Sequence, residues 1–225
     1  MEEKLKELSM IQASIVIAAQ DHNPAILNKD FLEANGIVDK QWGWVLGGDP
    51  SLSTPVFASV SYNSGVVFRV LPNRLELVDT DVEEGVGDSR VPQIAQAYIN
   101  TLPHVRYTAV GNNFRGFVPA PDPDRLLRTR FLKEGEWASA LAAIGLRLVY
   151  AIARGRAVLS LDSGEAARIQ AAPEEKTNAV VVDANYHREC VGEKRRDEAA
   201  SFINLWRQDW EHFVGLLRQS LRLIP

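Results

Sequence analysis

The sequence predicts an α+β fold: two β-α-β4-α units forming a curved antiparallel sheet backed by helices, with a long C-terminal helix. Three observations carry this. Short β-rich runs are separated by two- or three-residue turns, which forces antiparallel neighbours. The same order of elements recurs after about a hundred residues. The chain then closes on residues 194–223, where Ala199, Ile203, Trp206, Trp210, Phe213 and Leu217 recur at steps of four and three. That period is an amphipathic helix with a wide apolar face. Two indoles and a phenyl ring on one face require a broad apolar surface beneath, which a curved sheet supplies. Trp206, Trp210 and Phe213 are therefore expected to be buried against strands.

The first unit occupies residues 1–103. Residues 10–19, rich in β-branched side chains, read as a strand ended by the turn cluster Asp21-His-Asn-Pro24. Asn28 is placed to cap a short helix through Phe31 and Leu32, closed by Asn35-Gly36. Residues 41–46, with Trp42 and Trp44 in alternation, read as a short strand ended at Gly47-Gly48. Residues 54–62, 66–71 and 74–79 form a meander turned at Asn63-Ser-Gly65 and Pro72-Asn73. Residues 81–88 are an acidic, glycine-containing loop, after which Ser89 caps a helix over 92–101.

The second unit, residues 104–225, repeats that order. A long strand spans 105–118, with Gly111 and Gly116 marking a bulge or bend. After the stiff segment 119–124, Asp124 can cap a helix containing Leu126, Leu127 and Phe131. Residues 146–153, 156–161 and 166–170 form a second meander turned at Arg154-Gly155 and Ser163-Gly164. Residues 177–187 add the last strand before the closing helix.

The element order resembles the TATA-binding-protein-like fold, and the single-copy helix-grip proteins that wrap such a sheet around a long C-terminal helix. The latter likeness implies a carrier with a cavity for a small apolar ligand, and Gly215, within the closing helix, fits a close approach there. A second resemblance rests on short phrases: Thr54-Pro55 leading into Ser61-Tyr-Asn-Ser-Gly65, the run from Val91 to Tyr98, the run from Tyr107 to Phe114, and Asp183-Ala-Asn-Tyr-His187. In these the chain resembles a sporadically distributed family of uncharacterised bacterial proteins. That resemblance implies no activity and no catalytic residue.

Composition is that of a globular protein, 46% hydrophobic and 24% charged, with a formal charge of −4. No apolar run approaches the roughly 20 residues that span a bilayer, so no membrane association is expected. The mixed-charge start lacks the pattern of a signal peptide. With Cys190 as the single cysteine, no intrachain disulfide can form, and the expected compartment is the cytoplasm. Residues 1–103 carry 7 Lys and Arg against 14 Asp and Glu, and the remainder 18 against 15. Net acidity disfavours a nucleic-acid partner.

Candidate chemistry is sparse. His187 and Cys190 lie three apart, but a nucleophile pair also needs a thiolate and an orienting group. Asp183, Asn185 and His187 alternate and so share one face of a strand, where with His22 or Asp21 they present metal-ligand types. Paired Cys/His spacing is absent, and no cofactor or metal is assigned. The segment Gly85-Val-Gly-Asp-Ser-Arg90 lacks the third glycine and the preceding strand of a dinucleotide fingerprint. Arg154 and Arg156, with Arg125, Arg128, Arg130, Arg147 and Arg168, suggest an anion-facing surface, but Asp122, Asp124, Glu134, Glu136, Asp162 and Glu165 are interleaved with them. Trp42 and Trp44, beside a Gly-Gly turn, are placed to rim a pocket or interface.

The expected function is therefore a non-enzymatic binding or protein-interaction module, recognising a protein partner or small ligand. The candidate surface is Trp42, Trp44, Asp183, Asn185, His187, Arg154 and Arg156. Alternatives are the apolar-ligand carrier and an enzyme acting on an anionic substrate through His187 and nearby arginines. A free sheet edge or leftover apolar helix face would favour a homodimer.

Overall fold

The computed structural model describes residues 7–48, 51–82, 85–131, 147–152, 157–166 and 177–225, and only the backbone of 147–152, 157–166 and 177. The elements in chain order are β1 (Ser9–Gln20), α1 (Lys29–Ala34), β2 (Leu52–Ser53), β3 (Ala58–Ser61), β4 (Val66–Leu71), β5 (Arg74–Asp79), α2 (Val91–Thr101), β6 (Arg106–Pro119), α3 (Pro123–Phe131), β7 (Arg147–Ile152), β8 (Ala157–Ala166), β9 (Thr177–Glu189), α4 (Arg195–Ile203) and α5 (Trp206–Gly215). The fold is α+β, built on an antiparallel sheet with helices. The chain forms two compact units, one of Gln12–Asn113 and Tyr186–Trp210, the other of Met1–Ile11, Phe114–Asn185 and Glu211–Pro225.

In the first of these units the strands follow the order β2-β3-β4-β5-β1. Two rows of side chains cross this sheet in register. Val60, Phe68, Leu77 and Ile15 face one another in succession, as do Ala58, Val70, Leu75 and Ile17. All eight are buried. Alternation along each strand puts these residues on one face, and each large member contributes roughly 1.5–3 kcal/mol by leaving water. Helix α2 buries Val91, Ile94, Ala95, Tyr98 and Ile99, the face its sequence period demands. Asn28 caps α1 as expected, its side chain accepting the Phe31 N–H at 2.8 Å.

Residues 41–46 depart from expectation. The alternation of Trp42 and Trp44 imitates a strand, but residues Lys40–Trp42 form a 3-10 turn. Asp39 caps it by accepting the Gln41 N–H at 2.9 Å. Gly43, at φ +67°, reverses the chain immediately afterwards. The fourth strand of this half is instead β2, which pairs Leu52 with Ser59 and Ser53 with Ala58. Of the segment 41–46, only Leu46 bridges to the sheet, opposite Tyr62.

In the second unit β7 and β8 pair antiparallel from Arg147↔Asp162 to Ile152↔Ala157. Strand β8 continues to Ala166, straight through the turn expected at Ser163-Gly164. Positions 167–170 of the expected third strand, and the Arg154-Gly155 turn, lie outside the described residues. Asp122, rather than Asp124, caps α3 by accepting the Arg125 N–H at 2.9 Å. Asp124 pairs instead with Arg128, one turn on, at 2.5 Å. A Cβ at Gly116 would sit 2.7 Å from the Ser9 carbonyl oxygen, so this glycine serves a close backbone approach. Ile11, Phe117, Ala179 and Val181 form a core cluster here.

The closing helical segment is divided. Helices α4 and α5 are separated at Asn204 and Leu205, and a π turn over Leu216–Ser220 follows. The cause of the break is a side chain inserted into the helical ladder. The Asn112 amide donates to the Phe202 carbonyl at 3.1 Å, and the Leu205 N–H, three residues on, also binds that carbonyl. Gln96 of α2 reinforces the break by donating to the Ala200 carbonyl at 2.7 Å and to Asn204 Oδ1 at 3.0 Å. Trp206 and Phe213 are buried, whereas Trp210 is half-buried. The Trp206 indole donates to the Val86 carbonyl at 3.1 Å, in a 3-10 turn rather than a strand. Phe213 stacks on Phe114 of β6, centroids 5.9 Å apart. Among the described residues a Cβ at Gly215 would meet nothing within 4 Å, so no close approach is seen there.

Candidate ligand-binding site

A ladder of rings runs outward from the core of the first unit. Phe68, fully buried on β4, meets Tyr62 edge-on at 6.0 Å between centroids. Tyr62 meets Trp44 at 5.6 Å, and Trp44 meets Trp42 at 4.7 Å. The Arg90 guanidinium ends the series, its Cζ 4.6 Å from the Trp42 ring centre. The spacing and tilt favour each ring pair, and the guanidinium favours the negative face of the indole.

Local sequence fixes this series. Asn63 holds the segment carrying Trp44 by a reciprocal pair of bonds: its side chain accepts the Val45 N–H at 3.1 Å, and its own N–H reaches the Val45 carbonyl at 3.0 Å. The Gly47 N–H adds a bond to the Ser61 carbonyl at 2.8 Å. Both indoles remain half-buried. Burial, with the Glu33 charge as a lesser cause, pushes the Tyr62 phenol up to about 12. Its hydroxyl is buried and has no hydrogen-bond partner among the described residues.

Two clefts flank the indoles. The larger, about 560 Å³, lies among α1, the 3-10 turn and α2, and its lining includes Glu33, Ile37, Lys40, Trp42 and Gln93. The smaller, about 320 Å³, is lined by Trp44, Asp79, Asp81, Asp88, Ser89 and Arg90, with Ser64, Val66 and Gly85. Asp79 is 5% exposed, and burial pushes its carboxyl above the usual carboxylate range. Hydrogen bonds from Ser89 Oγ at 2.6 Å and the Asp81 N–H at 3.0 Å oppose that rise. Ser89 also accepts the Val91 N–H at 3.3 Å, tying Asp79 to the start of α2.

The wall beside Asp81 depends on Gly65. At φ +81° this residue is left-handed, and a Cβ there would lie 2.7 Å from Asp81 Cβ and 2.9 Å from Asp81 N. Thr80 anchors the same point through its N–H and hydroxyl, both 3.1 Å from the Gly65 carbonyl.

The other sequence-predicted residues lie apart from these clefts. On β9, Asp183 is half-buried and Asn185 and His187 are exposed, while Ala184 and Tyr186 point to the buried face. Asp183 pairs with Arg115 at 3.6 Å. Arg154, Arg156, Arg168, Glu134 and Glu136 lie outside the described residues. His187 is exposed whereas Cys190 is buried, and burial, aided by Glu198, pushes the Cys190 thiol up to about 11. His22 is 3% exposed, with Nε2 3.3 Å from the Ile17 carbonyl and Nδ1 3.2 Å from the Tyr98 hydroxyl. A carbonyl only accepts, so Nε2 carries the proton and Nδ1 accepts from Tyr98. Both nitrogens are thereby used, and among the described residues no three His, Cys, Asp or Glu gather as a metal site.

Sequence reasoning found the two indoles but not Asp79, Ser89 and Arg90. The available signal was the stretch from Asp79 to Asp88, which carries five carboxylates and no base. It also missed the buried ion pair of Arg188 with Asp209, whose contacts are 2.7 and 2.5 Å. No protein-family model matches the chain, nor does any curated protein, and the site stands on its own geometry.

Proposed function

We propose that the protein is a binding module whose recognition surface is Trp42 and Trp44 with Arg90, taking a segment of a partner protein or a small ligand. The observation that carries this reading is the continuous ring series from buried Phe68 to Arg90, ending in two half-buried indoles between two clefts. Aromatic side chains and arginine dominate the energetics of recognition surfaces. Here the Asn63 bonds to Val45 and the ring contact with Tyr62 tie the Trp44 segment to the edge of the sheet, which lowers the ordering cost of binding. Display of a random peptide library against the wild-type chain and against Trp44→Ala tests the reading. Sequences enriched on the wild type and lost on the variant support it, and equal enrichment on both overturns it.

A further inference from the structure

We propose that the smaller cleft binds an organic cation, an ammonium or guanidinium group, between the Trp44 indole and the carboxylates of Asp79, Asp81 and Asp88. This assignment rests on the binding-module reading and adds the chemistry of the ligand.

Four features of the cleft converge on that class. Three carboxylates line it against one arginine, and that arginine lies over the Trp42 ring. Among the described residues no lysine or arginine pairs with any of the three carboxylates. The Trp44 ring supplies an aromatic wall, which attracts a cation electrostatically without coordinating it. Ser64 also lines the cleft, and its buried hydroxyl oxygen has no hydrogen-bond partner among the described residues. A hydroxyl oxygen left without a partner can accept from an N–H donor.

Size and electrostatics separate an organic cation from a metal ion. A volume of about 320 Å³ is far larger than one ion needs, and the described carboxylates form no metal-ligand group. Asp79 is buried with no counter-ion among the described residues, and burial makes its charged form unfavourable. A bound cation removes that penalty, so binding and ionisation of Asp79 favour each other. The Gly65 approach fixes Asp81 and the Ser89 bond fixes Asp79 before any ligand arrives.

Calorimetric titration of the full chain tests the assignment, using spermidine, the peptide acetyl-Gly-Arg-Gly-amide, and glutamate- and leucine-centred control peptides. At least one cationic probe is expected to bind above both controls. The double variant Asp81→Asn/Asp88→Asn should weaken it at least about tenfold, as should raising salt from about 50 to about 500 mM. Both aspartates are exposed, so this variant keeps the fold, which a thermal melt verifies. Tighter binding of spermidine identifies a free amine as the ligand, and tighter binding of the arginine peptide identifies a partner side chain. Equal binding of cationic and control probes, or a double variant that binds like the wild type, overturns the proposal. If a control peptide binds and Trp44→Ala abolishes it, the cation assignment fails while the binding-module reading stands.

Discussion

Asn112 on β6 donates to Asp209 on α5 at 2.8 Å, while Arg188 on β9 grips the same carboxylate with two guanidinium nitrogens. Asn112 is fully buried and Asp209 is 3% exposed. A carboxylate on the apolar face of a helix is thus neutralised by two strands. Removing one partner of a buried ion pair typically costs about 3–5 kcal/mol, because the other charge is left stranded. Asp209→Ala should therefore lower unfolding free energy by that order in urea titrations. Arg188→Met/Asp209→Leu should recover most of the loss, and a single-variant cost below about 1 kcal/mol would contradict this account.

His22 predicts an acid-sensitive stability. Burial lowers its pKa below 6.5, and the Ile17 hydrogen bond only partly opposes that. A lowered folded-state value means that neutral His22 is favoured in the folded chain. Its contribution is complete above pH 6.5 and is lost as pH falls through the unfolded value toward the folded one. The urea midpoint should fall between pH 7.5 and pH 5, and His22→Gln should flatten that part of the curve. A wild-type midpoint that is level across this range refutes the assignment.

The Arg90 and Trp42 contact is exposed on the arginine side. Arg90→Ala should cost no more than about 1 kcal/mol of stability. Trp44→Ala breaks two ring contacts and should cost more, about 1–3 kcal/mol beyond lost burial. Chemical denaturation of the two variants ranks them, and the reverse order would remove the ring series as a structural unit.

Gly65 and Gly116 both face backbone atoms where a Cβ would go. Alanine at either position forces the main chain to move, and at Gly65 it adds a left-handed φ, at about 1–3 kcal/mol. Gly36, also left-handed but with no described atom within 4 Å of its would-be Cβ, serves as the control. If Gly36→Ala proves as damaging as Gly65→Ala, the close approach to Asp81 is not the reason.

Much of the architecture was legible because its causes are local. The period of two in β3, β4 and β5, with turns too short for crossovers, dictates their pairing. The cap at Asn28 is also local chemistry, whereas Arg90 rather than Ser89 stands at the cap position of α2 and makes no side-chain cap bond. Residues 41–46 misled because two alternating tryptophans satisfy a strand pattern, whereas Asp39 and Gly43 impose a turn. The division between α4 and α5 was invisible because its agent, Asn112, is ninety residues from the carbonyl it takes. Asp209 was hidden likewise: nothing near it in sequence announces Arg188 or Asn112. At the site, Trp42 and Trp44 declared themselves by type. Asp79, Ser89 and Arg90 acquire meaning only when the end of β5 meets the start of α2.

Cys190 has a practical consequence for work on these clefts. It is 1% exposed, its N–H is bound to the Thr108 carbonyl, and its thiol is pushed up to about 11. Thiol-directed reagents act on the thiolate, so at neutral pH the native cysteine is spared while the chain is folded. A cysteine introduced at exposed Asp88, on the rim of the smaller cleft, can then carry a spectroscopic label at a unique position. The natural sequence already provides a silent background for such probes.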